Sequence, residues 1–150
     1  MTEEILKHKG VLDKYIGDAV MAYWGAPMDD PDHADHAIEA ALGMIERLKK
    51  FNVELRAEGM HEIAFGIGIY TGPVIIGNVG SEMRLEYTVI GDTVNVASRL
   101  EGVNKELHTT LLVGESAKNK IKGKYAFKSM GPVSVKGRKE PLQVYTIEGI

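Results

Sequence analysis

The sequence predicts an α+β fold in which helices pack on a mainly antiparallel sheet. Three observations carry this. Helical and strand-like runs mix along 150 residues without a regular βαβ alternation. Two pairs of strand-like runs are joined by short turns containing glycine, the mark of hairpins. Apolar residues make up 44% of the chain and charged residues 26%, an ordinary globular balance able to bury one core at this size.

The elements follow in order. Glu3 to His8 is the tail of a helix, stopped by Gly10. Val11–Tyr15 and Ala19–Trp24 are apolar runs around Gly17-Asp18 and predict a hairpin, closed by Trp24-Gly25-Ala26-Pro27. Asp30 can cap a helix and Pro31 suits its first position. That helix runs to about Ala57, with Ala34, Ile38, Ala41, Leu42, Ile45 and Leu48 at helical spacing, and Gly59 ends it. Ile63–Tyr70 and Val74–Val79 are strands. Their glycines, Gly66, Gly68, Gly77 and Gly80, imply a close approach to the backbone. Leu85–Ile90 leads through Gly91-Asp92 into a helix from Thr93 to about Val103. Thr110–Val113 is a short strand and Gly114–Ile121 a short helix. Tyr125–Lys136 and Pro141–Ile147 are strands joined by the loop Gly137-Arg138-Lys139-Glu140. With no repeat or linker, residues 1–150 read as a single domain.

Composition narrows the function. A net charge of −3 argues against a sequence-blind nucleic-acid binder, although a local anion site stays open. The absence of cysteine removes thiol nucleophiles, disulfides and zinc–thiolate sites, and fits a reducing, cytoplasmic setting. No apolar run approaches the roughly 20 residues of a membrane helix, so direct membrane insertion is not expected.

Four constellations can carry chemistry. In Lys14-Tyr15-Ile16-Gly17-Asp18 a carboxylate sits at a hairpin tip, where it can hold a hard divalent cation together with phosphate oxygens. The plainer reading is a turn aspartate without a ligand. Asn95 and Arg99, four apart on the predicted helix, share a face and can address a sugar oxygen and a phosphate, or can simply be solvated. Lys136, Arg138 and Lys139 surround a glycine turn that can meet a triphosphate or only water. In Asp32-His33-Ala34-Asp35-His36 the histidine pair invites a metal reading. Carboxylates in a helix's first turn need no metal, however, and no third ligand is evident.

Three stretches, Leu12–Gly25, Gly66–Gly80 and Tyr87–Glu101, together with Val135-Lys136-Gly137, resemble in order the catalytic domain of the class III nucleotidyl cyclases, the adenylate and guanylate cyclase family. The resemblance covers roughly residues 10–147. It implies a ferredoxin-like cyclase fold and conversion of ATP to 3′,5′-cyclic AMP and pyrophosphate for signal transduction. It implies Mg²⁺ or Mn²⁺, two ions in the complete site, with Asp18 as a metal ligand. It implies a homodimer with active sites shared head to tail. Lys14 and Thr88 then match base-reading positions, Asn95 the ribose-orienting asparagine, Arg99 the transition-state arginine and Lys136 the triphosphate lysine. Arg84 is a looser match to a phosphate contact. Lysine at position 14 can donate to adenine N1, whereas guanine N1 carries a hydrogen, so ATP is expected over GTP.

One departure shapes the expectation. The family pattern opens with a strand of the type Phe-x-Asp-Ile-x-Gly-Phe that supplies a first metal aspartate, and no such stretch occurs here. The chain thus reads as N-terminally truncated, with weak or no activity on its own. The alternative is a degenerate cyclase-like module that binds nucleotide, or dimerises, and regulates without catalysis.

Overall fold

The computed structural model describes all 150 residues. Helix α1 (Thr2–Lys7) leads into the hairpin of β1 (Val11–Ile16) and β2 (Ala19–Tyr23), followed by the long helix α2 (His33–Ala57). Then come β3 (Ile67–Ile69), β4 (Ile75–Ser81), β5 (Arg84–Ile90), α3 (Asp92–Leu107), β6 (Leu111–Gly114), α4 (Glu115–Lys118), β7 (Phe127–Val133) and β8 (Leu142–Ile147). No helix is long and apolar enough to cross a membrane.

The strands fall into three sheets. The central one has the order β3-β6-β8-β7, with β3 and β6 parallel and the other pairs antiparallel. The hairpins β1-β2 and β4-β5 form separate two-stranded ribbons. The mainly antiparallel expectation therefore holds, but as three sheets.

Side-chain alternation along β6 builds two cores at once. Leu111 and Val113 face α2, where they meet Ile38, Ala41 and Ile45, with Ala117 and Ile147 beside them. Leu112, between them, faces α3 and packs with Val96, Leu100, Val103, Val133, Val135 and Val144. The central sheet thus carries α2 on one face and α3 on the other.

The glycines of the third strand explain how α3 can lie so close. A Cβ on Gly68 would sit 2.3 Å from the Ala97 carbonyl oxygen and 2.5 Å from the Glu101 nitrogen. A Cβ on Gly66 would stand 2.8 Å from the Glu101 carbonyl oxygen. At Gly66 and Gly68 the close approach implied by the sequence is the backbone of α3 itself, whereas Gly80 faces the Arg84 backbone of its own ribbon and Gly77 has no neighbour within 4 Å. Asn104 seals the contact: its Nδ2 donates to the Ile67 carbonyl at 2.9 Å, and its Oδ1 accepts from Thr109 Oγ1 at 2.9 Å.

Several boundaries differ from the expectation. The predicted strand 63–70 shortens to Ile67–Ile69, because the Ile63 N–H and C=O both bond to the Asn52 side chain on α2 instead of to a neighbouring strand. Helix α2 begins at His33, two residues past Pro31. The N-cap is Asp32, with no side-chain cap hydrogen bond, and Asp30 instead closes the turn ahead of it: its Oδ1 accepts from the Asp32 N–H at 3.0 Å, and its carbonyl accepts from the His33 N–H at 3.1 Å. Helix α3 continues beyond Val103 to Leu107, where His108 turns left-handed at φ 53°. The last hairpin pairs over Phe127–Val133 and Leu142–Ile147, a shorter span than predicted.

Candidate active site

The first cluster joins β1 to β5. Strand β1 carries a bulge between Leu12 and Lys14, whose partners on β2 are the adjacent residues Ala22 and Met21. Strict alternation would send Asp13 and Lys14 to opposite faces, and a bulge re-aims them. Both reach β5. Asp13 Oδ2 accepts from Thr88 Oγ1 at 2.7 Å and from the Val89 N–H at 3.2 Å. Lys14 Nζ donates to Glu86 Oε2 at 3.1 Å. Glu86 and Thr88 are two apart on β5 and share a face. Thr88 is buried and Lys14 half-buried, so the cluster is a partly dry polar wall. Arg84 lies beside the turn of the β4-β5 hairpin, almost fully exposed, with Nη2 3.7 Å from Glu86 Oε1. Tyr23 is packed close by. Burial pushes its phenol pKa up, helped by Tyr87 and Asp13.

The second pair stands on α3. Val96, Leu100 and Val103 bury one side of the helix, which leaves Asn95 and Arg99 one turn apart on the exposed side. The Arg99 guanidinium is 3.7 Å from Glu106, a loose surface pairing.

The basic turn behaves unevenly. Lys136 follows the buried Val135 and is exposed, with no hydrogen bond or ion pair. Arg138 turns back instead: its Nη1 donates to Tyr70 OH at 2.8 Å and lies 3.7 Å from Asp92. Those contacts raise its pKa, the Tyr70 hydrogen bond foremost. All three cations are exposed, and Arg138 is the one with partners in the chain. Asp18 lies exposed at the β1-β2 tip beside Gly17, which has φ 60°. Its carboxylate has no partner in the chain. One free carboxylate on a tight turn suits a single hard cation completed by phosphate oxygens and water. No group of three potential ligands exists to enclose an ion by itself.

The histidine pair has a structural role. His33 Nδ1 donates to the Asp30 carbonyl at 2.9 Å and His36 Nδ1 to Asp30 Oδ2 at 2.6 Å. Asp35 accepts from the Lys122 and Gly123 N–H groups and so ties the start of α2 to the loop after α4.

No hydrogen bond or ion pair connects Asp18, the α3 pair and Lys136 to the Lys14–Thr88 cluster. The model of the adenylate and guanylate cyclase catalytic domain matches residues 3–149. The chain belongs to that family. It is 42% identical over 149 residues to adenylate cyclase 1 of Rhizobium meliloti (strain 1021), covering 99% of this chain and 22% of that protein. It is 39% identical over 146 residues to an adenylate cyclase of Anabaena cylindrica, covering 93% of this chain and 28% of that protein. Its fold matches the crystal structure of the adenylyl cyclase CyaB from P. aeruginosa with a TM-score of 0.86 at 31% identity, over 97% of this chain and 75% of that one. The chain thus spans under a third of the length of these two sequence relatives.

Within this cyclase-family domain, sequence reasoning found Lys14 and Thr88 but missed the residues between and beside them. Asp13 sits next to Lys14 in the same apolar run, and only the bulge reveals that it bridges two ribbons. Glu86 reads as one more surface charge until its pairing with Lys14 is seen. Asn104 is hidden in the same way, as a polar residue inside a helical pattern that becomes the tie between α3 and β3.

Proposed function

We propose that residues 1–150 act as an adenylate cyclase catalytic domain that turns ATP into 3′,5′-cyclic AMP and pyrophosphate. The observation that carries this is the junction of β1 and β5, where an ammonium from Lys14 and a hydroxyl from Thr88 stand on one polar wall. Such a pair matches adenine, which offers an acceptor at N1 and a donor at its 6-amino group. Lys14 donates to N1. Thr88 accepts from the amine.

In the reaction the ribose 3′-oxygen attacks the α-phosphorus, the bond to the bridging oxygen breaks, and pyrophosphate leaves. Asn95 holds the ribose with its amide. Arg99 offers planar paired donors to the oxygens on which charge develops. Lys136, free of partners, takes the triphosphate as a point charge. Asp18 would hold Mg²⁺ or Mn²⁺, which supplies charge neutralisation at the phosphates and activation of the 3′-hydroxyl.

A homodimer with shared sites accounts for these groups. In such an arrangement one protomer brings Asp18, and its partner brings the base-reading residues with the α3 pair. The β4-β5 hairpin leaves Leu85 and Tyr87 exposed on one face and Met83 exposed at its turn, apolar surface suited to a second copy. Two-fold symmetry would then create two equivalent sites.

Mass spectrometry of products after incubation with Mn²⁺ and either ATP or GTP tests the reading. Cyclic AMP from ATP alone supports it. Cyclic GMP from GTP would overturn the adenine assignment, and nucleotide binding without any cyclic product would make these residues an inactive piece of a cyclase or a binding module. In active protein, Arg99→Ala and Asp18→Ala should each abolish turnover, and mixing them should restore part of it. Failure to complement would refute the shared site.

A further inference from the structure

We infer that Asp13 is a positioning residue that fixes the Thr88 hydroxyl as a hydrogen-bond acceptor, and so selects 6-amino over 6-oxo purine nucleotides. This rests on the reading of Lys14 and Thr88 as the base-recognition pair. A threonine hydroxyl has one hydrogen and two lone pairs. Left free, it can donate to a carbonyl as readily as it accepts from an amine, and it discriminates nothing. Here its hydrogen is committed. Thr88 Oγ1 donates to Asp13 Oδ2 at 2.7 Å. A carboxylate offers only lone pairs, so the direction of this bond cannot reverse.

The carboxylate is itself held. The same oxygen accepts the Val89 N–H at 3.2 Å, and Asp13 stands at the bulge that turns β1 toward β5. Thr88 is 5% exposed, which leaves its hydroxyl little access to bulk water. Its β-branched side chain has few rotamers to choose from. What remains for a ligand is a lone pair. The adenine 6-amino group donates to it, whereas guanine O6 would oppose lone pair to lone pair. Lys14 reads a different atom of the ring, so the contribution of Asp13 is separable from that of Lys14.

The test is equilibrium binding by calorimetry, with a divalent cation, of α,β-methylene analogues of ATP and GTP. Their bridging leaving-group oxygen is replaced by carbon, so they bind without cyclising. The unmodified chain should prefer the adenine analogue. Asp13→Ala should cut that preference by on the order of ten-fold, the worth of one hydrogen bond at a buried partner. Asp13→Asn should retain it, because a single amide oxygen can accept from both Thr88 and Val89. Thr88→Val should cut it at least as far, leaving the part that Lys14 supplies, and adding Asp13→Ala to Thr88→Val should change the preference no further. Equal weakening of both analogues by Asp13→Ala, or loss of preference in Asp13→Asn, would make Asp13 merely structural and overturn the proposal. If the unmodified chain binds neither analogue, the base-recognition reading falls and the proposal with it. Should Asp13→Ala not fold, the unmodified chain decides the matter with the analogue of purine riboside triphosphate, which keeps N1 but has no 6-substituent. Tighter binding of the adenine analogue supports an acceptor at that position. Equal binding refutes one.

Discussion

Replacing Gly68 by alanine asks whether the close approach of α3 to β3 is a structural requirement. The new Cβ would lie 2.3 Å from the Ala97 carbonyl oxygen and 2.5 Å from the Glu101 nitrogen, where ordinary contact begins at 3.4 Å. Both obstacles are helix backbone, so no side chain can rotate away. Helix α3 must retreat by about 1 Å and give up part of the dispersion contact of Val96 and Leu100 with β6. Overpacking of this kind costs about 1–3 kcal/mol, and backbone obstacles put Gly68→Ala at the upper end. For a chain of this size each kcal/mol lowers the midpoint by about 2–4 °C, so a fall of roughly 6–12 °C is expected in a thermal melt followed by circular dichroism. Gly77→Ala is the control, since a Cβ there meets nothing within 4 Å, and its midpoint should not fall. Because α3 carries Asn95 and Arg99, turnover in active protein should also drop, by about 100-fold for a 1 Å misplacement. A Gly68→Ala protein melting with the unmodified chain would refute the account of how α3 is set.

Asn104→Ala removes the donor to the Ile67 carbonyl and the acceptor for Thr109, and should cost about 1–3 kcal/mol in urea unfolding. Leu100→Ala, at a fully buried position, should cost about 2–5 kcal/mol in the same assay. Acid stability should hinge on Glu4. Burial pushes its pKa up, but the Arg47 hydrogen bond and the charges of Lys7, Arg47 and His8 outweigh this and hold it below the usual carboxylate range. Asp30 is also held low, by its hydrogen bond from His36. Groups lowered on folding contribute stability that is present above the ordinary carboxylate pKa of about 4 and lost as pH falls through the lowered value. Unfolding midpoints should therefore drop as pH falls below about 4. Arg47→Gln should lower stability at neutral pH and flatten that acid loss, because burial then dominates at Glu4. An unchanged acid slope would contradict the assignment.

The sequence by itself determined most of the elements and nominated the candidate site residues. Helical spacing located α2, and Gly17-Asp18 between apolar runs located the first hairpin. The ordered stretches around Lys14, Thr88, Asn95, Arg99 and Lys136 carried the family. These signals are local, held in a few neighbouring side chains and the period at which they recur. The tertiary structure decided the rest. Gly66 and Gly68 announced a close neighbour without naming it, and the neighbour is a helix that begins more than twenty residues later. Arg138 read as a phosphate cation until the fold brought Tyr70 and Asp92 against it. Period-two alternation alone would turn Asp13 away from Lys14, and a bulge in β1 brings both against β5. In each case the deciding partner is distant along the chain. Side-chain pattern fixes which face an element buries, but packing in three dimensions sets what that face meets.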